Sequence, residues 1–254
     1  MNIRELKDNK DLYIMQKKSA MKMADAILCP IAEGSNFATK SEQSDSDTLQ
    51  AKLVINTTGI LDSHRDVHIP GIWNKTLKEA RKIRLIQEHA MKFDHVISDN
   101  VKAYAKNIAW SKLGYSYEGS TQALMFDADI DPLRNPFMYK QYLKGYVDNH
   151  SVGMQYVSLF LCINSDDKYY REEKENWDKY SQYVVNKEDL GEYFWAVTEA
   201  KLIEGSAVLY GSNYATPVYS IKSPEPAEAT QDAADKITAE DVRQLFKNHL
   251  NLPK

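Results

Sequence analysis

Three segments of the sequence bring together side chains that could do chemistry. In LDSHRDVH, residues 61–68, His64, Asp66 and His68 alternate as metal ligands do when projected from one side of an extended segment. No H-E-x-x-H or equivalent helical spacing accompanies them, so the competing reading is a polar loop folded back on a sheet. QEHAMKFDH, residues 87–95, holds His89, Asp94 and His95. An imidazole is the usual general base at neutral pH, because its pKa of ~6.5 lets it take a proton from a hydroxyl and return it to a leaving group. NHSVGMQY, residues 149–156, places Ser151 two residues before Gly153. A serine becomes a nucleophile beside a base, and a glycine leaves room for a substrate backbone or an oxyanion near main-chain N–H groups.

The elements that must position these groups are read from periodicity. A strand is expected over 51–57, then a turn-rich stretch over 58–71. An amphipathic helix is expected over 72–86, started at Pro70-Gly71, with Trp73, Leu77 and Ala80 on one face. Strands follow from Val101 and from Gln122, and a second helix over 136–147 puts Tyr139, Tyr142, Leu143 and Tyr146 on one side, with Gly145 weakening its last turn. The apolar run over 151–162 reads as a buried strand with Ser151 at its entrance. The mixed-charge block over 164–179 reads as a solvated loop or insertion, and 193–211 as one or two further strands. About seven strands and two amphipathic helices make the fold mainly β with flanking helices, an α+β class.

Composition narrows the function. With 254 residues, 43% of them hydrophobic and 27% charged, the chain can bury a core. Two cysteines, Cys29 and Cys162, exclude a disulfide-stapled scaffold and a zinc knuckle. A net charge of -4 supplies no global field for nucleic acid. No apolar run approaches the ~20 residues of a membrane crossing, and the charged N-terminal residues lack a signal-peptide core. The expectation is therefore a protein with neither nucleic-acid nor membrane partner. The 16 tyrosines fall largely at core-like spacings.

Three regions are expected: an N-terminal segment and polar loop over 1–50, a principal domain over 51–222, and a Pro/Ala/acid linker with a short amphipathic helix over 223–254. In that helix Thr238 is a cap, and Val242, Leu245, Phe246 and Leu250 share a side suited to docking.

Taken in order, these segments resemble the caudovirus prohead serine proteases, the maturation proteases of tailed phages, whose fold is related to the herpesvirus assemblin proteases. The likeness spans residues 51–217. Asp62, Asp66-Val67, Pro70-Gly71, Trp73 and Thr76-Leu77 are similar to the family's early motif, which accounts for the metal-like pattern without a metal. QEHAMKFDHVIS is similar to the segment carrying the catalytic histidine, with Glu88 where the family has Asn. YKQYLKGYVDNHSVGMQY is similar to the helix, turn and Ser-x-Gly of the nucleophile, the most specific of the matches. EAKLIEGSAVLYGSNYATP is similar to the family's later strand, with Glu204, Ser206, Val208 and Asn213 in register and Tyr210-Gly211-Ser212 where the family has Pro-Ala.

The resemblance implies a small herpesvirus-protease-like β-barrel and a serine endopeptidase. Ser151 would be the nucleophile, His89 its base, Glu204 the third member, and Gly153 part of the oxyanion and substrate-binding region; His95 and His150 are alternative third members. No cofactor is implied. The implied substrates are a phage scaffold protein, the major capsid protein and the chain itself, cleaved in the host cytoplasm inside the assembling prohead, with self-association open. The 223–254 region would serve packaging or self-cleavage. Two competing classes are an inactive capsid-assembly or scaffolding protein of the same fold, and a metal-dependent hydrolase built on His64, Asp66 and His68.

Overall fold

The computed structural model describes residues 2–20, 47–79 and 81–223. Most of the polar loop expected before residue 50, and the linker and terminal helix expected after residue 223, lie outside the described residues.

Two short helices, α1 (Ile3–Asp8) and α2 (Lys10–Ser19), precede the first strand, β1 (Leu49–Thr57). β1 lies inside an antiparallel sheet with β5 (Val101–Ala109), β6 (Ser120–Ile130) and β9 (Val218–Lys222), in the order β5-β6-β1-β9. The second sheet is organised by one long strand, β8 (Tyr193–Val208). On one side β8 pairs antiparallel with β7 (Asn149–Ile163) along its length. Its other side is shared by two three-residue strands, both parallel to it: β2 (Asp66–His68) against its first part and β3 (Leu85–Gln87) against its last. β4 (Val96–Ser98) closes that edge, antiparallel to β3. Leu53, Ile55, Leu124 and Phe126 of the first sheet share one buried cluster with Val152, Met154 and Leu202 of the second. Burial of such side chains, roughly 25 cal/mol per Å² of apolar surface, is the main favourable term holding the sheets face to face.

The coarse expectation of a mainly β chain with few helices holds. A closed barrel does not form among the described residues. β3 and β4 are too short to extend a ladder, and the contact between β4 and β6 is made by single bonds, with Ser98 Oγ donating to the Asp129 carbonyl at 2.6 Å.

Two local expectations are corrected. The helix expected over 72–86 is a turn, one 3-10 segment over Thr76–Lys78, and then β3. Ile72 and Trp73 are adjacent yet both buried, which a one-faced helix cannot satisfy, and so are Leu85 and Ile86, as in a strand buried on both faces. The charged block over 164–179 contains α4 (Arg171–Tyr180), whose Glu173, Trp177 and Tyr180 are buried at helical spacing. The ring of Trp177 packs 5.2 Å from that of Phe194 on β8. Its many charges mask the narrow apolar stripe.

The first 20 residues also join the core. Leu6 is 1% exposed within the main cluster, and Lys10 reaches Glu173 on α4 at 3.0 Å. The remaining helix, α3 (Pro136–Leu143), forms where expected; the Asn135 side chain accepts from the Met138 N–H, Pro136 sits in the first turn, and the helix stops just before Gly145.

Candidate active site

The site is built on the last third of β8. Opposite residues of an antiparallel pair carry their side chains on the same face. Ser151 lies opposite Ser206 and Gly153 opposite Glu204, so alternation along the two strands puts Ser151, Gly153, Glu204 and Ser206 on one face. β3 runs on the other side of β8, with Gln87 paired to Ala207, and immediately beyond it the chain turns. There His89 folds back over β8. Its Nδ1–H donates to Glu204 Oε1 at 2.6 Å, and its backbone N–H donates to Ser206 Oγ at 3.1 Å. Ser206 Oγ in turn donates to Glu204 Oε2 at 2.7 Å.

Glu204 thus accepts at both oxygens, and Ser206 uses its hydroxyl as both donor and acceptor. With the acceptor at Nδ1, the neutral form of the ring carries its lone pair on Nε2. Nε2 is buried and has no hydrogen-bond partner among the described residues. An unpaired buried polar atom costs about 1–3 kcal/mol. The backbone adds strain, because Glu88 and His89 have φ values of 52° and 55°, the left-handed region that costs a side-chain-bearing residue about 1–3 kcal/mol. Two consecutive strained residues and one unpaired nitrogen sit on the group that reaches over the sheet.

No protein-family model, no curated protein and no solved structure matches the chain.

The register puts Ser151, Gly153 and Glu204 on one sheet face, and His89 is bonded over that face to Glu204 and Ser206, while its Nε2 makes no hydrogen bond to Ser151. Gly153 is placed differently from the expectation of an opening toward substrate. A Cβ at that position would lie 2.0 Å from Glu204 Oε1, so the space left by its missing side chain is filled by the carboxylate. Glycine is required there so that Glu204 can lie across β7 and meet His89.

The alternative third members are engaged elsewhere. His95 Nδ1 bonds the neighbouring Asp94 at 2.9 Å. His150, one residue from Ser151 and on the opposite face, is fully buried, with Nε2 3.0 Å from the Tyr142 hydroxyl and Nδ1 3.1 Å from the Thr216 carbonyl. Burial pushes its pKa down to about 4, although the bond to Thr216 acts the other way.

Among the described residues, His64, Asp66 and His68 do not gather into a group of three metal-ligating side chains. Asp62 Oδ1 accepts from the N–H groups of His64 and Asp66, both at 2.8 Å, tying the turn. Asp66 Oδ2 accepts from the Tyr156 hydroxyl at 2.8 Å, and Lys17 of α2 reaches its other oxygen. His68 Nδ1 meets the Asn56 amide at 2.8 Å, and its Nε2 lies 3.3 Å from Tyr156 Oη. Asp62, His64 and His68 line the same small space as His150 and Ser151, about 10 Å³, the size of one water. Through Tyr156 on β7, Asp66 and His68 are tied to the strand that carries Ser151.

Sequence reasoning gave no role to two residues. Ser206 links Glu204 to the His89 backbone, and the alternation Glu204-x-Ser206 on a strand was the available signal. Gly211 packs against the start of β7, where a Cβ would meet the His150 carbonyl at 2.9 Å and Ser151 Cβ at 3.8 Å. Nothing in its tripeptide Tyr210-Gly211-Ser212 announced that contact.

Proposed function

We propose that the chain is a serine endopeptidase, with Ser151 as nucleophile, His89 as general base and Glu204 as the group that orients and charge-compensates His89. One observation carries this reading: His89 is held by Glu204 through Nδ1, with an unpaired Nε2, on the face that carries Ser151. In the reaction Ser151 Oγ attacks the scissile carbonyl carbon while its proton passes to His89 Nε2. The C–N bond then breaks, and the leaving amine takes that proton. Water attacks the resulting ester, gives a proton to His89, and Ser151 recovers it as the acid leaves. Glu204 compensates the imidazolium in both halves.

The resemblance to the prohead proteases, and through them to the herpesvirus assemblin architecture, supplies the biological setting: cleavage of scaffold or capsid protein during phage maturation. An inactive assembly protein of this fold would have no chemical reason to keep a strained histidine with an unpaired Nε2 over the face that carries Ser151. The test is stoichiometric labelling by a fluorophosphonate, located by peptide mass mapping. Label on Ser151 that disappears in Ser151→Ala and in His89→Ala supports the reading. Absence of label, both in the purified chain and in the chain assembled with its capsid proteins, overturns it.

A further inference from the structure

Two clefts of opposite charge touch β8 at the two ends of its 204–208 stretch, and both are lined by residues of the 87–93 segment that carries His89, although His89 and Ser151 themselves line neither. The first, about 350 Å³, adjoins Ile203 and Glu204 of β8. Met91 and Phe93 stand on its rim, 59% and 90% exposed, with Ile86 and Val96 as an apolar floor. Its charged lining is Glu204 and three cations, Lys82, Arg84 and Lys92, of which Lys82 and Arg84 also pair with Asp99 at 3.4 and 2.8 Å, so Lys92 is the cation on which the charge preference rests. The second, about 130 Å³, adjoins Ala207, Val208 and Leu209 at the other end of the site. Leu209, Tyr146 and Phe137 stand on its rim, 74%, 69% and 59% exposed. Its charged lining is anionic, Glu88 and Asp148, with no cation among the described residues.

Large apolar side chains left this exposed on both sides of one site mark a binding surface. The stretch of β8 from Glu204 to Val208 spans four residue steps, about 13 Å at ~3.3 Å per residue. An extended peptide laid over His89 covers that distance with four or five residues.

We infer that the substrate is an extended peptide segment with a large apolar side chain on each side of the scissile bond, an acidic residue beside the one entering the Met91–Phe93 cleft, and a basic residue beside the one entering the Phe137–Leu209 cleft. The opposite charges fix the direction in which the segment lies. This rests on the endopeptidase reading and specifies which segments the site takes.

The test uses the full chain with a mixture of synthetic peptides that vary charge and apolar size at each position, cleavage sites being read by mass spectrometry beside fluorophosphonate labelling. Expected are cuts flanked by large apolar residues, with acid and base always in the same order. Lys92→Glu should shift the acidic preference toward basic residues by about five- to tenfold in kcat/KM, and Glu88→Lys should shift the basic preference the other way by a similar factor. A labelled Ser151 with cuts that ignore this pattern, or with patterns that neither variant alters, overturns the inference and leaves the endopeptidase standing. Neither label nor cleavage overturns both.

Discussion

Gly153 and Glu204 face one another across β7 and β8, and the glutamate carboxylate occupies the volume that any side chain at 153 would need. Gly153→Ala should therefore displace Glu204 and break its bond to His89. The expected result is loss of fluorophosphonate labelling together with about 1–3 kcal/mol of stability, the usual cost of overpacking. Labelling at the wild-type rate would show that Glu204 is dispensable where it lies.

Glu204→Gln keeps shape and an acceptor oxygen but removes the charge that, in the proposed mechanism, compensates the imidazolium. The labelling rate should fall by roughly 10²–10⁴-fold, the scale of a triad carboxylate or a general base. Ser206→Ala removes one donor to the carboxylate and the acceptor for the His89 N–H, so a loss of about 10–100-fold is expected of this positioning residue. The ranking matters: a larger loss from Ser206→Ala than from Glu204→Gln would contradict the assigned roles.

Burial, together with the charge of Asp66 nearby, pushes Asp62 up to about 8. The folded protein therefore keeps this carboxyl protonated across a range in which the unfolded chain has released the proton, near ~4. The unfolded state binds fewer protons between these values, so this group's contribution to stability is full below ~4 and is lost as pH rises toward 8. Asp62→Asn can still accept from His64 and Asp66 and cannot ionise. Its Tm should gain on that of the wild type as pH rises, by about 2–4 °C at pH 8 for each kcal/mol relieved. Parallel melting curves across that window would sink the assignment.

His150 acts with the opposite sign. It stays neutral in the folded protein down to about pH 4, whereas an unfolded imidazole takes a proton near ~6.5. Its stabilising contribution is present above ~6.5 and is lost as pH falls toward 4. Glu173 adds to this acid sensitivity: burial alone would raise it, but the bonds from Lys7 and Lys10 hold it below its ordinary value. In an NMR titration the His150 ring should remain neutral at pH 5, where an exposed histidine is charged. A midpoint near 6.5 would place it outside the core.

Leu6 tests whether the first helices belong to the domain. Leu6→Ala should cost about 2–5 kcal/mol in denaturant unfolding, as other buried leucines do. A change below about 0.5 kcal/mol, the response of a surface position, would mean that the domain begins at β1.

The strands β1, β5, β6, β7 and β8 and the helix α3 were legible in the sequence, because alternation, apolar runs and an Asn-Pro helix start are local signals that burial reinforces. The pairing of Ser151 with Gly153 and the segment holding His89 were legible for the same reason, each being a short motif. The helix expected over 72–86 failed because charged residues between two buried pairs imitate a helical period. α4 was missed because its apolar residues are outnumbered by charges, and the N-terminal helices because lysines that read as solvated reach Glu173 and Asp66. The sequence resemblance names Glu204 as third member and leaves His95 and His150 open; that Glu204 is the one bonded to His89 Nδ1 came only with the fold, which makes β3 and β8 parallel neighbours. Why residue 153 is glycine was decided only by tertiary structure: the sequence shows a missing side chain, and the neighbouring strand shows what fills its place.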